Sequence, residues 1–412
     1  MIKHFNRLDS LAFILPILVL LVNCTEPTPG NSTQVSDPTY QTKWVGTWSC
    51  APYAAEARNT PPAPYLENNT LRQVIRVSIG GKKLRMKFSN KTSATPTTMN
   101  AVNIAVSKGA EKIDAATLTP LSFNGDGAVT MAPYSSVLSD PFEFDLDTSM
   151  RLAITIHYGS VESNADITSH VASRTDSYIL EGNQSTSADF EGATITAHWF
   201  HIQSIDVMAP DHAASIGVIG NSITDGYGLH GGLQNRWPDK LSEKLLANPK
   251  TANVGVLNLG IGATLVSGTH PTTGVSRYKD DLLSQSGIKW IIMYYGTNDI
   301  NAGISADTII SAYETIIAGA HDQDIKVYGA TITPFNGSGH YSAENEQVRN
   351  SVNDWIRTPG NFDAVIDFDQ TIRDPEDPSR MLEKYSKDWL HPNIAGYAFL
   401  GGSVDPDLFI FN

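Results

Sequence analysis

"IGVIGNSITDGYG", Ile216 to Gly228, decides how the second half of this chain is read. Its first five residues are apolar without interruption, the pattern of a strand covered on both faces, and the run stops at Gly220-Asn221 so that Ser222 stands at the strand's carboxyl end before a Gly-rich loop. The same grammar repeats downstream. "VGVLNLGIG" (254–262), "KWIIMYYG" (289–296), "KVYGATITP" (326–334) and "FDAVIDFD" (362–369) are short apolar runs, and between them lie the helical patterns "WPDKLSEKLLAN", "SRYKDDLLSQS", "ADTIISAYETIIAGAHDQD" and "SAENEQVRNSVNDWIR", with a last helix after Pro392. Apolar strands joined by crossover helices predict a parallel sheet with helices on both faces, an α/β domain over residues 210–412.

Upstream of Ala209 the period is two. "AVNIAVS", "PFEFDLD", "RLAITIHYG" and "ATITAHWFHIQSIDVMA" alternate apolar and polar residues and are rich in Val, Ile, Thr and aromatics. "TLRQVIRVSIGGKKLRMKFSN" (70–90) reads as a hairpin turning at Gly80-Gly81. The list predicts an all-β, sandwich-like domain over residues 43–209. Trp44 and Trp48 fit its core as well as they fit a glycan-binding face.

The first 42 residues follow neither pattern. Lys3 and Arg7 precede an apolar run, Leu11 to Val22, of about a dozen residues, short of the roughly 20 a membrane-spanning helix needs. Residues 1–23 are therefore expected to be an export signal, and 24–42, "CTEPTPGNSTQVSDPT" and beyond, a tether. "LVNC" resembles a bacterial lipoprotein processing box with Cys24 as the lipidated residue, although Asn23 stands where a small residue is usual. Plain secretion, or a Cys24–Cys50 disulfide in an oxidising compartment, is the alternative. The expected location is thus an exported, membrane-anchored bacterial lipoprotein. A formal charge of -14 excludes nucleic acid as a partner class, because binding phosphate requires clustered Lys and Arg.

In open parallel sheets reactive groups gather at the carboxyl ends of the strands. Here those ends carry Asn221-Ser222, then Asn258 with Gly260, Gly262 and Ala263, then "GTND" (296–299), while "DWLHPN" with Asp388 and His391 precedes the final helix. Each alone reads as a turn with a cap. Together they supply what acyl transfer needs: a nucleophile in Ser222, a base in His391, a carboxylate in Asp388 to orient it, and oxyanion donors in the Ser222 N–H, the Gly262–Ala263 loop and the Asn298 amide. Asp225 and Arg236 are candidates to support this site, Asp299 to order its loop, and Tyr227, His230 and Trp237 to line a groove, with core packing favoured for Trp237. No metal or organic cofactor is implied; "HWFH", His198 to His201, places its histidines on opposite strand faces rather than as a ligand pair.

Over about residues 215 to 412 these four ordered blocks resemble the SGNH (GDSL) hydrolases. The resemblance implies a flavodoxin-like three-layer sheet of five parallel strands in the order 2-1-3-4-5, with the roles just listed. Two positions depart from the family pattern: Asn221 where Asp is usual, and Ala263 where the oxyanion glycine is usual. "WVGTW" and the 70–90 stretch also resemble the β-rich leader of a secreted subgroup, many of whose members are acetylesterases on plant polysaccharide. The expected activity is a serine esterase removing short acyl groups, above all acetyl, from carbohydrate. A lipase or lysophospholipase for long acyl chains would need an apolar groove, whereas "TDGYGLHGGLQN" and "FNGSGHYSAEN" are polar and Gly-rich. A non-catalytic glycan-binding lipoprotein is the alternative from another class.

Overall fold

Ala214–Gly220, the strand that ends before Ser222, lies inside a five-stranded parallel sheet. Its neighbours are Val254–Gly260 on one side and Ile288–Tyr294 on the other, followed by Lys326–Ala330 and Ala364–Ile366, so the order is 2-1-3-4-5 as the family resemblance implies. Every residue of Ala214–Gly220 is buried, which is why the run contains no polar alternation. Two cores flank the sheet. One packs Ile219, Leu259, Ile291 and Met293 against the helix Ala306–His321, and the other packs Ile216, Val218 and Ile292 against Trp237–Leu246 and Ile394–Ser403. The computed structural model describes residues 41–162, 166–229 and 231–411, and the following statements concern these.

The pattern "SRYKDDLLSQS" departs from the expected helix. It forms a four-residue helix, Gly274–Arg277, that widens into a π-turn over Tyr278–Leu283. Trp237 opens its helix fully buried, against Tyr294 and Phe368, so it belongs to the core and not to a groove.

The β-rich half, from Thr42, builds two larger sheets. One runs Thr42–Ser49, Ile202–Pro210, Gly81–Ser89, Phe142–Leu146; the other includes Ser177–Leu180, Thr70–Arg76, Arg151–Tyr158 and Thr97–Gly109 in that order. Leu71, Ile75 and Ile154 from the second sheet meet Leu84, Met86, Ile205 and Val207 from the first in one core. The hairpin expected at residues 70–90 does not form. Thr70–Arg76 pairs with Arg151–Tyr158 and Ser177–Leu180, whereas Gly81–Ser89 pairs with Ile202–Pro210 and Phe142–Leu146, so the intervening residues carry the chain from one sheet to the other. Gly80 is needed there for close approach: a Cβ would stand 2.4 Å from the Leu146 carbonyl oxygen.

Gln41 to Asn412 form one compact unit, and the two halves meet along the outer edge of the parallel sheet. Val254–Gly260 is an edge strand of that sheet, with backbone groups that need partners. Ser78 Oγ accepts from Val256 N–H at 3.1 Å and itself donates to the Thr47 carbonyl at 2.7 Å. Gly255 lets the strand Thr42–Ser49 lie directly on the edge, since a Cβ there would be 2.3 Å from the Gly46 carbonyl oxygen. Replacing Gly255 with Val should therefore force the halves apart and cost about 1–3 kcal/mol, measured by urea unfolding of the full chain; an unchanged midpoint would show that this contact contributes nothing.

Candidate active site

Ser222 opens a four-residue helix, Ser222–Asp225, directly at the end of the first parallel strand. Asn221 caps it, its side-chain oxygen accepting from Ile223 N–H at 3.1 Å. An aspartate would make the same hydrogen bond, so Asn keeps the cap while avoiding a further charge at a position only 2 % exposed. Asn258 ties the second strand to this helix through a 2.9 Å bond from Nδ2 to the Thr224 carbonyl.

Ser222 Oγ lies 2.9 Å from His391 Nε2, and His391 Nδ1 lies 2.9 Å from Asp388 Oδ2. Asp388 and His391 stand in a tight turn rather than on a helix. Trp389 takes a positive φ of 66°, and Asp388 Oδ1 accepts from the backbone N–H groups of Leu390 and His391 at 3.1 and 2.7 Å. The carboxylate is thus fixed by its own turn before it meets the imidazole. Burial raises the Asp388 pKa, but these N–H bonds and the histidine outweigh burial, and the net shift is downward. His391 is 9 % exposed. Burial pushes its pKa down and Asp388 pulls it back up, while the charges of Lys387 and Arg174 lower it further, leaving it below the ordinary imidazole value of 6.5.

The expected oxyanion groups stand on the next two strand ends. Gly262 and Ala263 follow the strand Val254–Gly260, and Asn298 lies in the helix Thr297–Asn301. Asn298 Nδ2 donates to the Thr264 carbonyl at 3.0 Å, which couples the amide to the Gly262–Ala263 loop and leaves its second N–H for another acceptor. Ala263 has a φ of 61°, in the left-handed region where glycine is free of strain and alanine pays roughly 1–2 kcal/mol. The loop is held nonetheless, because the Asp299 carboxylate accepts from Val266 N–H, Ser267 N–H and Ser267 Oγ at 3.0, 3.0 and 2.7 Å. Asp299 therefore orders the loop, as expected.

Tyr227, 43 % exposed, lies against His391 with ring centroids 4.2 Å apart. His230 lies outside the described residues, as does Cys24. Cys50 is buried and donates its thiol to the Ile202 carbonyl, and burial pushes its pKa far up. His198 and His201 flank a two-residue strand, Trp199–Phe200, instead of sharing one. His198 Nδ1 accepts from Ala172 N–H and His201 Nδ1 meets the buried Tyr158 hydroxyl. Among the described residues no group of three or more His, Cys, Asp or Glu side chains is arranged to hold a metal ion.

Asp225, at the end of the helix that Ser222 opens, and Arg236 prove to be part of a buried charge cluster, two members of which have no signal in the sequence. His170 Nε2 and Arg174 Nη2, both from the β-rich half, meet Asp225 Oδ1 and Oδ2 at 3.0 and 2.9 Å, and Arg236 Nε donates to the Asp225 backbone carbonyl at 2.9 Å. The segment "TSHVASRTD" that supplies them has neither a period nor a motif, and nothing in it announces a partner more than fifty residues away.

The comparisons with known proteins bear on the same half. Residues 218–399 match the GDSL-like Lipase/Acylhydrolase family model. Similar solved structures include a lipolytic protein of the G-D-S-L family from Desulfitobacterium hafniense DCB-2 (22% identity, covering 46% of this chain and 97% of that one, TM-score 0.36). A GDSL-like lipase from Bacteroides thetaiotaomicron VPI-5482 (19%, 46% and 84%, TM-score 0.34) and an acetyl xylan esterase (20%, 46% and 96%, TM-score 0.36) are also similar. No curated protein matches the chain. Residues 218–399 thus belong to the GDSL-like lipase/acylhydrolase family, whose members are carboxylic ester hydrolases.

Proposed function

We propose that this ester hydrolase removes short acyl groups, principally acetyl, from carbohydrate through an acyl-enzyme on Ser222. The reading is carried by one observation, the unbroken contact from Ser222 Oγ through His391 to Asp388, with both links at 2.9 Å. His391 Nε2 takes the serine proton as Oγ attacks the ester carbonyl, and Asp388 holds the ring with Nδ1–H toward it. The tetrahedral oxyanion is received by the Ser222 N–H, a backbone N–H of the Gly262–Ala263 loop and the free N–H of Asn298. The imidazolium then returns the proton to the departing sugar hydroxyl, and water activated by His391 releases the acid.

Short acyl groups and a sugar leaving group fit the surroundings better than a lipid does. The loop after the fourth strand carries Asn336, Ser338 and His340, of which His340 lies close enough to His391 and Asp388 for their charges to interact, and the loop after Ser222 is rich in glycine, a setting with hydrogen-bonding groups for a sugar. Lys3 and Arg7, the apolar run before Cys24 and the Thr/Pro/Ser-rich stretch after it support export and a lipid tether at Cys24.

Acetate release from acetylated plant polysaccharides should fall by at least about a thousandfold in Ser222→Ala; equal release by both proteins would overturn the assignment of the nucleophile. The acid limb of the kcat/KM profile follows from the sign of the His391 shift. The base works only when neutral, and its pKa lies below 6.5, so activity should persist below that pH and fail as His391 gains its proton. A limb above pH 7 would contradict this. For the tether, labelled palmitate should enter the wild-type chain expressed in bacteria and be absent from Cys24→Ala; equal labelling of both would place any lipid elsewhere.

A further inference from the structure

Arg174 comes from the β-rich half, yet its surroundings are those of the serine. Its guanidinium donates to Asp225 Oδ2 at 2.9 Å and lies 5.5 Å from the centre of the Tyr227 ring. Asp225 ends the helix that Ser222 begins, and Tyr227 packs on His391 while donating its N–H to the Ser222 carbonyl at 2.9 Å. One side chain therefore touches two groups, each of which is joined to a member of the proposed catalytic set. The segment around it is built to hold that pose. Ala172 and Arg174 both have positive φ, 59° and 57°, conformations that persist only where the surroundings impose them. The Arg174 carbonyl accepts from Gly232 N–H at 3.0 Å, Thr175 Oγ1 accepts from Gln234 Nε2 at 3.1 Å, and the Ser173 carbonyl accepts from Arg236. All three clamp the segment to the loop that follows the serine.

We propose that Arg174 is a positioning residue for the ester hydrolase site, through which the β-rich half holds the nucleophile helix by Asp225 and the His391 ring by Tyr227. The β-rich half is then a working part of the active site and not a detachable sugar-binding module. This rests on the reading of Ser222 and His391 as nucleophile and base. Arg174 also acts on His391 by its charge. The other groups that face the imidazole are Asp388 and Lys387 from its own turn, Tyr227, and His340 from the loop after the fourth strand. Asp388 favours the protonated ring and Lys387 opposes it, as Arg174 does, so removing Arg174 moves the balance toward protonation.

The test measures kcat, KM and the pH dependence of kcat/KM for p-nitrophenyl acetate with the full chain, its Ser222→Ala control, Arg174→Ala and Arg174→Lys. Arg174→Ala should lose about 10- to 100-fold in kcat with KM changed less than about threefold, the scale expected when reacting groups are misplaced by an ångström or so. Its acid limb should move to higher pH. Arg174→Lys keeps the charge but not the fork, so its limb should stay in place and its kcat should fall between the two. An unmoved limb with kcat within twofold of wild type overturns the proposal, as does a loss confined to KM. If Arg174→Ala does not fold, Tyr227→Leu at the exposed ring tests the same linkage, and an unchanged kcat there refutes it. No Ser222-dependent activity in the wild-type chain would instead refute the esterase reading itself.

Discussion

A carboxylate held out of water at the end of the helix that Ser222 opens is the constraint on which the rest of this site depends. Asp225 is 2 % exposed, and an unpaired ion there would cost several kcal/mol. Burial alone would raise its pKa, but His170, Arg174 and Arg236 together bring it below the ordinary carboxylate value. His170 Nδ1 faces the Ala51 carbonyl, an acceptor only, at 2.9 Å, and Nε2 faces Asp225. The two side chains therefore share a proton between Nε2 and Oδ1, whichever atom carries it. The partners come from residues 170–174 and from Arg236, so the short helix that begins with Ser222 reaches its final environment only when both halves have docked.

That dependence accounts for other features of the interface. The edge strand Val254–Gly260 is covered by Thr42–Ser49 and by Ser78, while Arg76 reaches across to Glu243 at 2.9 Å and to the Gln234 carbonyl at 3.4 Å. Arg236 is held by Asp239, whose side chain also accepts from the Arg236 N–H at 2.8 Å, and its guanidinium lies 5.7 Å from the Trp199 ring of the β-rich half. Trp199 meets Trp48 edge to face, so these aromatics serve the core beneath the interface. A loosely tethered module would have no use for buried charges shared in this way, because each one makes partial separation more costly than complete association.

What could be read in advance divides along a physical line. The parallel half was legible because short apolar runs without alternation, spaced by helical patterns, suit little besides strands covered on both faces, and because the polar residues at strand ends recur in one order. The strand order itself came only through the family resemblance. Alternation in residues 70–90 correctly marked two strands but not their partners: period two says which face is buried and is silent about which neighbour supplies the hydrogen bonds. Gly80-Gly81 looks like a hairpin turn in sequence, yet neither glycine has positive φ, and the chain passes between sheets there. His170 and Arg174 were invisible because a lone histidine or arginine in a loop has no local signature, and their meaning lies in Asp225, which only the docking brings near.

Arg174 also bears on the protonation of His391, the proposed base. An imidazole needs a carboxylate to fix its tautomer, and Asp388 by itself would make the ring a stronger base that stays protonated to higher pH. Burial, Lys387 and Arg174 act in the opposite direction and prevail. The result is a ring that is oriented by its carboxylate but neutral over a wider pH range, weaker as a base and more often available as one. Basicity and availability trade against each other in general-base catalysis, with the best compromise where the pKa lies near the working pH. With one of the opposing charges carried by Arg174 of the β-rich half, the proton on His391 responds to the interface as well as to its own turn, and the guanidinium that bonds Asp225 is the same group that exerts this bias.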